Sequence, residues 1–127
     1  MAIEFNAGGV INLKPIPIDD VRDEVFGMLI EGEECALAFK TVRDQLIFTN
    51  KRIISVDVQG FTGRRKSYAT LPYSKIQYFT VQSPGFDELI SDSELTLAFA
   101  DGKSATFEFK GKTDIGWISR VIAQYVL

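Results

Sequence analysis

Histidine is absent from this 127-residue sequence. That absence removes the commonest general base, most zinc sites and every histidine-dependent catalytic triad. Cysteine occurs once, at Cys35, so no internal disulfide can form, in agreement with a reducing compartment. Cys35 lies in an apolar alternating run and is read as packing. No apolar stretch approaches the roughly eighteen residues of a membrane-spanning helix, and residues 1–9 lack the basic start and apolar run of a secretory leader. A cytoplasmic location is expected, with the inner face of the membrane reached only through a partner. Gly8-Gly9, Gly60 and Gly63 lack the spacing and the following lysine of a phosphate-binding loop. The acidic run Asp87, Glu88, Asp92 and Glu94 does not match the alternating ligands of an EF-hand. It is read as a solvated loop or as the acidic half of a charge-matched contact. No nucleophile has an evident activator, so neither catalytic residues nor a cofactor is expected.

What is present is a globular composition. With 46% apolar and 24% charged residues, general disorder is excluded. The length suits one domain, residues 1–127, burying about two thirds of its unfolded surface. The net charge of −3 hides a partition. Residues 1–39 carry −6, residues 40–75 carry +6 and residues 76–127 carry −3. Overall acidity disfavours non-specific nucleic-acid binding, whereas the basic block suits one anionic group or an acidic surface. Another copy of the chain supplies such a surface.

Along the chain, Gly8-Gly9 and Pro15-Ile16-Pro17 break regular patterns, so residues 1–17 read as an extended arm with room for one short strand. From Asp19 or Asp20 as N-cap, Val21, Val25, Met28 and Leu29 recur at helical spacing and Gly32 is a stop. A short helix over 19–31 is expected. The period then becomes two. Cys35, Leu37 and Phe39 alternate in a first strand, Arg43-Asp44 turns, and Gln45–Thr49 and Arg52–Val58 flank the tight Asn50-Lys51 turn. Further strands are expected over Lys66–Leu71, Ile76–Gln82, Glu94–Ala100 and Ser104–Phe109, the last two joined by Asp101-Gly102. Thr113 then caps a helix over 113–127, whose Ile115, Ile118, Val121, Ile122, Tyr125 and Val126 form an apolar stripe flanked by Trp117. Seven strands over 34–110 at this apolar content need a strongly bent antiparallel sheet or partly open barrel. The fold class is therefore mainly β (α+β), with a short N-terminal helix and a capping C-terminal helix.

Seven antiparallel strands followed by an amphipathic helix with an early tryptophan resemble the pleckstrin-homology superfold. The stretches from Leu46 to Arg52, Asp57 to Lys66 and Leu71 to Ile76 are similar to the single-domain bacterial pleckstrin-homology family. The resemblance implies no enzymatic activity, no set ligand, and closed homo-oligomeric rings, pentameric as a first expectation, built by pairing sheet edges. Eukaryotic relatives often bind phosphoinositides between their first two strands. Here that loop is only Thr41 to Asp44, too short to cradle a polyphosphorylated head group, and Asp44 would repel one.

Candidate partner- or anion-binding residues are Arg64, Arg65 and Lys66 after a glycine-bounded loop, with Lys51 and Arg52 in the hairpin turn. Candidate interface residues are Gln45, Asp57, Phe61, Tyr68 and Tyr73. Gln45 and Asp57 are expected to join Lys40 in a polar patch beside the basic loop. Amphipathic tyrosines suit interfaces, and a phenylalanine at a loop tip suits a neighbouring subunit or a membrane. The expected function is a self-assembling module that presents a partly basic surface to a partner protein. The alternative is a peripheral module reading anionic lipid through residues 40–75.

Overall fold

Alternating apolar residues separated by tight turns build a sheet that curls on itself. The computed structural model describes residues 10–83, 92–111 and 113–127. Its strands are β1 (Val10–Pro15), β2 (Cys35–Lys40), β3 (Gln45–Thr49), β4 (Arg52–Gln59), β5 (Arg65–Pro72), β6 (Ile76–Gln82), β7 (Ser93–Phe99) and β8 (Ser104–Phe109). Its helices are α1 (Asp23–Phe26) and α2 (Ile115–Val126), with 3-10 turns at Ile18–Asp20 and Tyr73–Lys75. All strands belong to one sheet in the order β5-β4-β3-β2-β1-β8-β7-β6. The edge strands β5 and β6 are joined by three residues, a span of about 14 Å at most between the strand ends. The sheet must therefore bend until its two edges approach at a corner.

The expected bent sheet with a helical cap is present, with one strand more than expected. The arm contributes β1, and β1 pairs antiparallel with β2 but parallel with β8, so the sheet is not wholly antiparallel. An irregular period concealed this strand. Val10 and Leu13 both point into the core although three residues apart, because the register shifts between them and Asn12 takes a φ of 62°. Pro15 ends the strand.

Two apolar clusters lie on the two faces of the sheet. Inside the curl, Leu13, Phe39, Phe48, Ile53, Leu95, Leu97, Phe107 and Phe109 pack with Ile118 and Ile122 of α2. On the outer face of β2, β3 and β4, Val21 and Val25 cover Ala38, Ile47, Ile54, Val56 and Val58. Six consecutive residues of β4 are consequently buried, a pattern that alternation alone does not convey. A bulge between Cys35 and Leu37 sends half-buried Cys35 to the outer cluster and Leu37 to the inner one.

The 19–31 helix shrinks to the single turn of α1. Val21 and Val25 do face the core as their spacing implied, but Val21 and Arg22 are extended. Gln45 causes the break by accepting from the Arg22 N–H and donating to the Asp20 carbonyl, both at 3.0 Å. At α2 the cap is Asp114, whose Oδ1 accepts from the Trp117 N–H at 3.0 Å. Thr113, the expected cap, instead donates to the Lys110 carbonyl at 3.2 Å. Because Leu13 is fully buried where the two halves of the sheet join, Leu13→Ala is expected to cost about 2–5 kcal/mol in urea unfolding.

Candidate functional site

The basic residues of the central block separate into structural and available groups. Arg52 enters β4 directly after the tight turn and extends over the segment following α1. Its Nε and Nη2 donate to the two carboxylate oxygens of Glu33 at 2.9 and 3.0 Å, while Nη2 also reaches the Met28 carbonyl and Nη1 the Thr70 hydroxyl. Glu33 has no exposed side-chain surface and also accepts from the Thr49 hydroxyl at 2.6 Å and the Ile30 N–H at 3.1 Å. Burial pushes its carboxyl up, but the Arg52 fork and the Thr49 and Ile30 donors outweigh burial and hold it below the usual range. Arg52, expected to meet a partner, is therefore a structural clasp between the β3–β4 turn, β5 and the chain after α1.

Other expected contacts are also internal. Tyr73 is buried, its hydroxyl donates to the Thr49 carbonyl at 2.7 Å and its ring stacks on Tyr125 at 5.1 Å. It belongs to the core and not to an interface. Gln45 is spent on the Asp20 and Arg22 backbone. Asp57 is buried and accepts from the Gln59 amide at 2.7 Å. Gln45 pairs with Val56, which faces the outer cluster, so Asp57, the next residue along, faces the other side. Of the patch expected from Lys40, Gln45 and Asp57, Lys40 and Gln45 do stand directly opposite each other on β2 and β3, but Asp57 does not join them. Half-buried Tyr68 donates to Glu24 at 3.0 Å, and Lys66 lies 3.7 Å from the same carboxylate. Part of the opposed charge of residues 1–39 and 40–75 is thus matched within the chain itself.

The remaining candidates do reach solvent. Arg64, Arg65 and Lys51 are exposed, and among the described residues no carboxylate lies within 4.0 Å of their cationic nitrogens. Phe61 is fully exposed at the β4–β5 loop tip, as is Val42 in the β2–β3 turn. Arg43 ties these two loops together by donating to the Gly60 carbonyl at 2.6 Å. Of the acidic run, Asp87 and Glu88 lie outside the described residues.

A family model described as Bacterial PH domain matches residues 4–126. The uncharacterized protein YjqA of Bacillus subtilis is 37% identical over 119 residues, covering 94% of this chain and 95% of that protein. The chain belongs to the bacterial pleckstrin-homology family. Among solved structures, a protein with a pleckstrin-homology domain from Shewanella loihica superposes with a TM-score of 0.78 at 36% identity, over 94% of this chain and 100% of that one. A pleckstrin-homology domain from Shewanella amazonensis gives 0.67 at 36% identity, over 88% and 90%. Pleckstrin-homology domains are generally non-enzymatic, and the shared fold supports a general interaction module.

Outside the expected set, this bacterial pleckstrin-homology chain has an open cleft of about 680 Å³ where β1 meets β2 and β8, with Lys14, Lys40 and Lys110 in its lining. The sequence separates these lysines by 26 and 70 positions, so only sheet order brings them together. Among the described residues no helix is long and apolar enough to cross a membrane.

Removing one partner of the buried clasp leaves an uncompensated charge, so Arg52→Ala is expected to lower stability by about 3–5 kcal/mol in denaturant unfolding. The pH dependence follows from Glu33. Its folded pKa lies below its ordinary 4.5, so its contribution is fully present above that value and is lost as pH falls through the depressed one. Between pH 6 and about pH 3, Glu33→Gln should therefore lose less stability than the parent chain, measured by thermal melts across that range.

Proposed function

We propose that this chain is a non-enzymatic protein-interaction module that assembles head to tail, with β5 of one copy against β6 of the next. The assembly closes into a ring, pentameric as the first expectation, and presents a polar, partly basic surface to a partner protein. One observation carries the reading: a single curled sheet has two open edges, β5 with eight residues and β6 with seven, and no described strand pairs with the outer side of either. Unpaired edges template pairing with another chain. Two different edges on one subunit make a heterologous contact, which closes into a ring when its rotation permits. The edges also differ chemically. Arg65, Lys66 and Ser67 are exposed on β5, whereas Gln77, Tyr78 and Thr80 are exposed on β6. Arg64 and Arg65, not held by an internal carboxylate among the described residues, are the cations left for an acidic partner.

Sedimentation velocity at micromolar concentration tests the assembly, and a monomer overturns it. Tyr78→Lys places a cation on the edge that would meet Arg65 and Lys66, and should weaken association by about tenfold or more. Tyr78→Glu should retain it, with circular dichroism unchanged in both variants.

A second reading rests on Val42 and Phe61. Two fully exposed apolar tips, joined through Arg43 and flanked by Arg64 and Arg65, suit the surface of an anionic bilayer. Co-sedimentation with anionic liposomes at low salt is its test, and protein left in the supernatant removes it.

A further inference from the structure

Three adjacent strands each carry a lysine immediately after a buried core residue. Leu13 precedes Lys14 on β1, Phe39 precedes Lys40 on β2, and Phe109 precedes Lys110 at the end of β8. Because neighbouring residues of a strand face opposite sides, the inward core residues turn all three lysines outward. Register then aligns them. Lys14 lies directly opposite Lys40. Leu13 pairs with Phe109, and the Lys110 N–H donates to the Leu13 carbonyl at 2.8 Å, which brings Lys110 alongside Lys14. With strands about 4.8 Å apart, the row spans roughly 10 Å.

Like charges set directly opposite on a sheet are destabilising, and among the described residues Lys14 and Lys40 have no ion pair to offset it. Among the described residues no carboxylate oxygen lies within 4.0 Å of the three ammonium groups. Asp44 lines the same cleft, but it is buried and its Oδ1 accepts from the Val58 N–H at 2.9 Å. Asp92 and Glu108 lie near Lys110 and share a hydrogen bond with each other, while Asp92 also accepts from the Gly111 N–H. Arg43 adds a fourth cation to the lining. Thr41 also lines the cleft, and its hydroxyl oxygen accepts from the Asp44 N–H at 3.0 Å.

We propose that this cleft binds a phosphate-bearing ligand with two phosphate groups or an equivalent density of charge. Lysines act on phosphate as point charges and reward total charge more than shape. A row of roughly 10 Å exceeds the reach of one carboxylate and accommodates a diphosphate group. This differs from the loop-cradled pocket that the short 41–44 turn argues against, because Lys14 and Lys40 stand on strands, Lys110 directly follows one, and the Asp44 carboxylate in the lining is engaged by the Val58 N–H. The site does not depend on assembly, so a monomeric chain would leave it standing.

Titration calorimetry of the full chain with sodium pyrophosphate at low salt is the test, with sodium acetate as the comparison. Pyrophosphate is expected to bind and acetate not, and the affinity should fall steeply with added salt. Lys14→Gln and Lys40→Gln should each weaken binding by about tenfold, whereas Lys51→Gln at the distant β3–β4 turn should not change it. Without ligand, Lys14→Gln should melt no lower than the parent chain, because it relieves repulsion; a merely structural lysine would lower the melting temperature. Sedimentation with phosphatidylcholine vesicles carrying phosphatidic acid separates the sources of phosphate. Binding to these vesicles alone, lost in Lys14→Gln, assigns the site to a lipid headgroup. Absence of binding in both arms, or binding that ignores both lysine substitutions, overturns the proposal.

Discussion

The double pairing of β1 is the constraint on which the rest of the structure depends. Strands β2 to β5 form one run of hairpins and β6 to β8 another, and β1 is the strand hydrogen-bonded to both. Without it, the inner residues of the two runs, Phe39 and Phe48 on one side and Phe107 and Phe109 on the other, would have no continuous wall behind them. The contact of Phe39 with Phe109, ring centroids 4.8 Å apart, spans this seam beneath Leu13. A parallel pairing in an otherwise antiparallel sheet follows from chain direction. The strand runs opposite to β2 and along β8, and β8 is itself antiparallel to β7.

A second constraint fixes which charges remain for function. Glu33 is withdrawn completely from water, and its ionised form is tolerable because a planar guanidinium meets both carboxylate oxygens and two further donors complete the shell. Arg52 is consumed in this role, and Glu24 takes up much of Lys66 and Tyr68. The basic surplus of residues 40–75 is thus an unreliable measure of what a partner meets. Once internal pairs are set aside, the exposed cations gather in two groups, Arg64 and Arg65 at the β4–β5 loop and the lysine row at the seam, while Lys51 stands alone at the β3–β4 turn.

How much of this was legible in the sequence depends on the range of the determining interaction. Strands β3, β6 and β8 were readable to the residue because alternation and tight turns are local signals. The β1 strand was obscured by the left-handed Asn12, which sets two inward residues three apart. Helix α1 was overstated because Gln45, more than twenty positions away, competes for the backbone of Asp20 and Arg22. The same distinction separates the site residues. Exposure of Phe61, Arg64 and Arg65 follows from a glycine-bounded loop, a local property. The burial of Tyr73, Asp57 and Arg52 depends on which strands and helices cover them. The lysine row is the extreme case, since no local pattern relates Lys14 to Lys110.

The location of that row bears on how binding and assembly would combine. Its strands occupy the middle of the sheet order, whereas the edges offered for pairing, β5 and β6, lie at the two ends. The proposed edge pairing would therefore leave the lysines uncovered, and the proposed anion binding would leave the edges untouched. In a closed ring each subunit would repeat the row under the same rotation, so weak phosphate contacts on one extended anionic surface would reinforce one another through effective concentration. A soluble diphosphate, too small to reach two subunits, would gain nothing from the ring. The ratio of affinities for the two kinds of ligand would thus be set by oligomeric state, and the intrinsic affinity of one cleft by the register of β1 against β2 and β8.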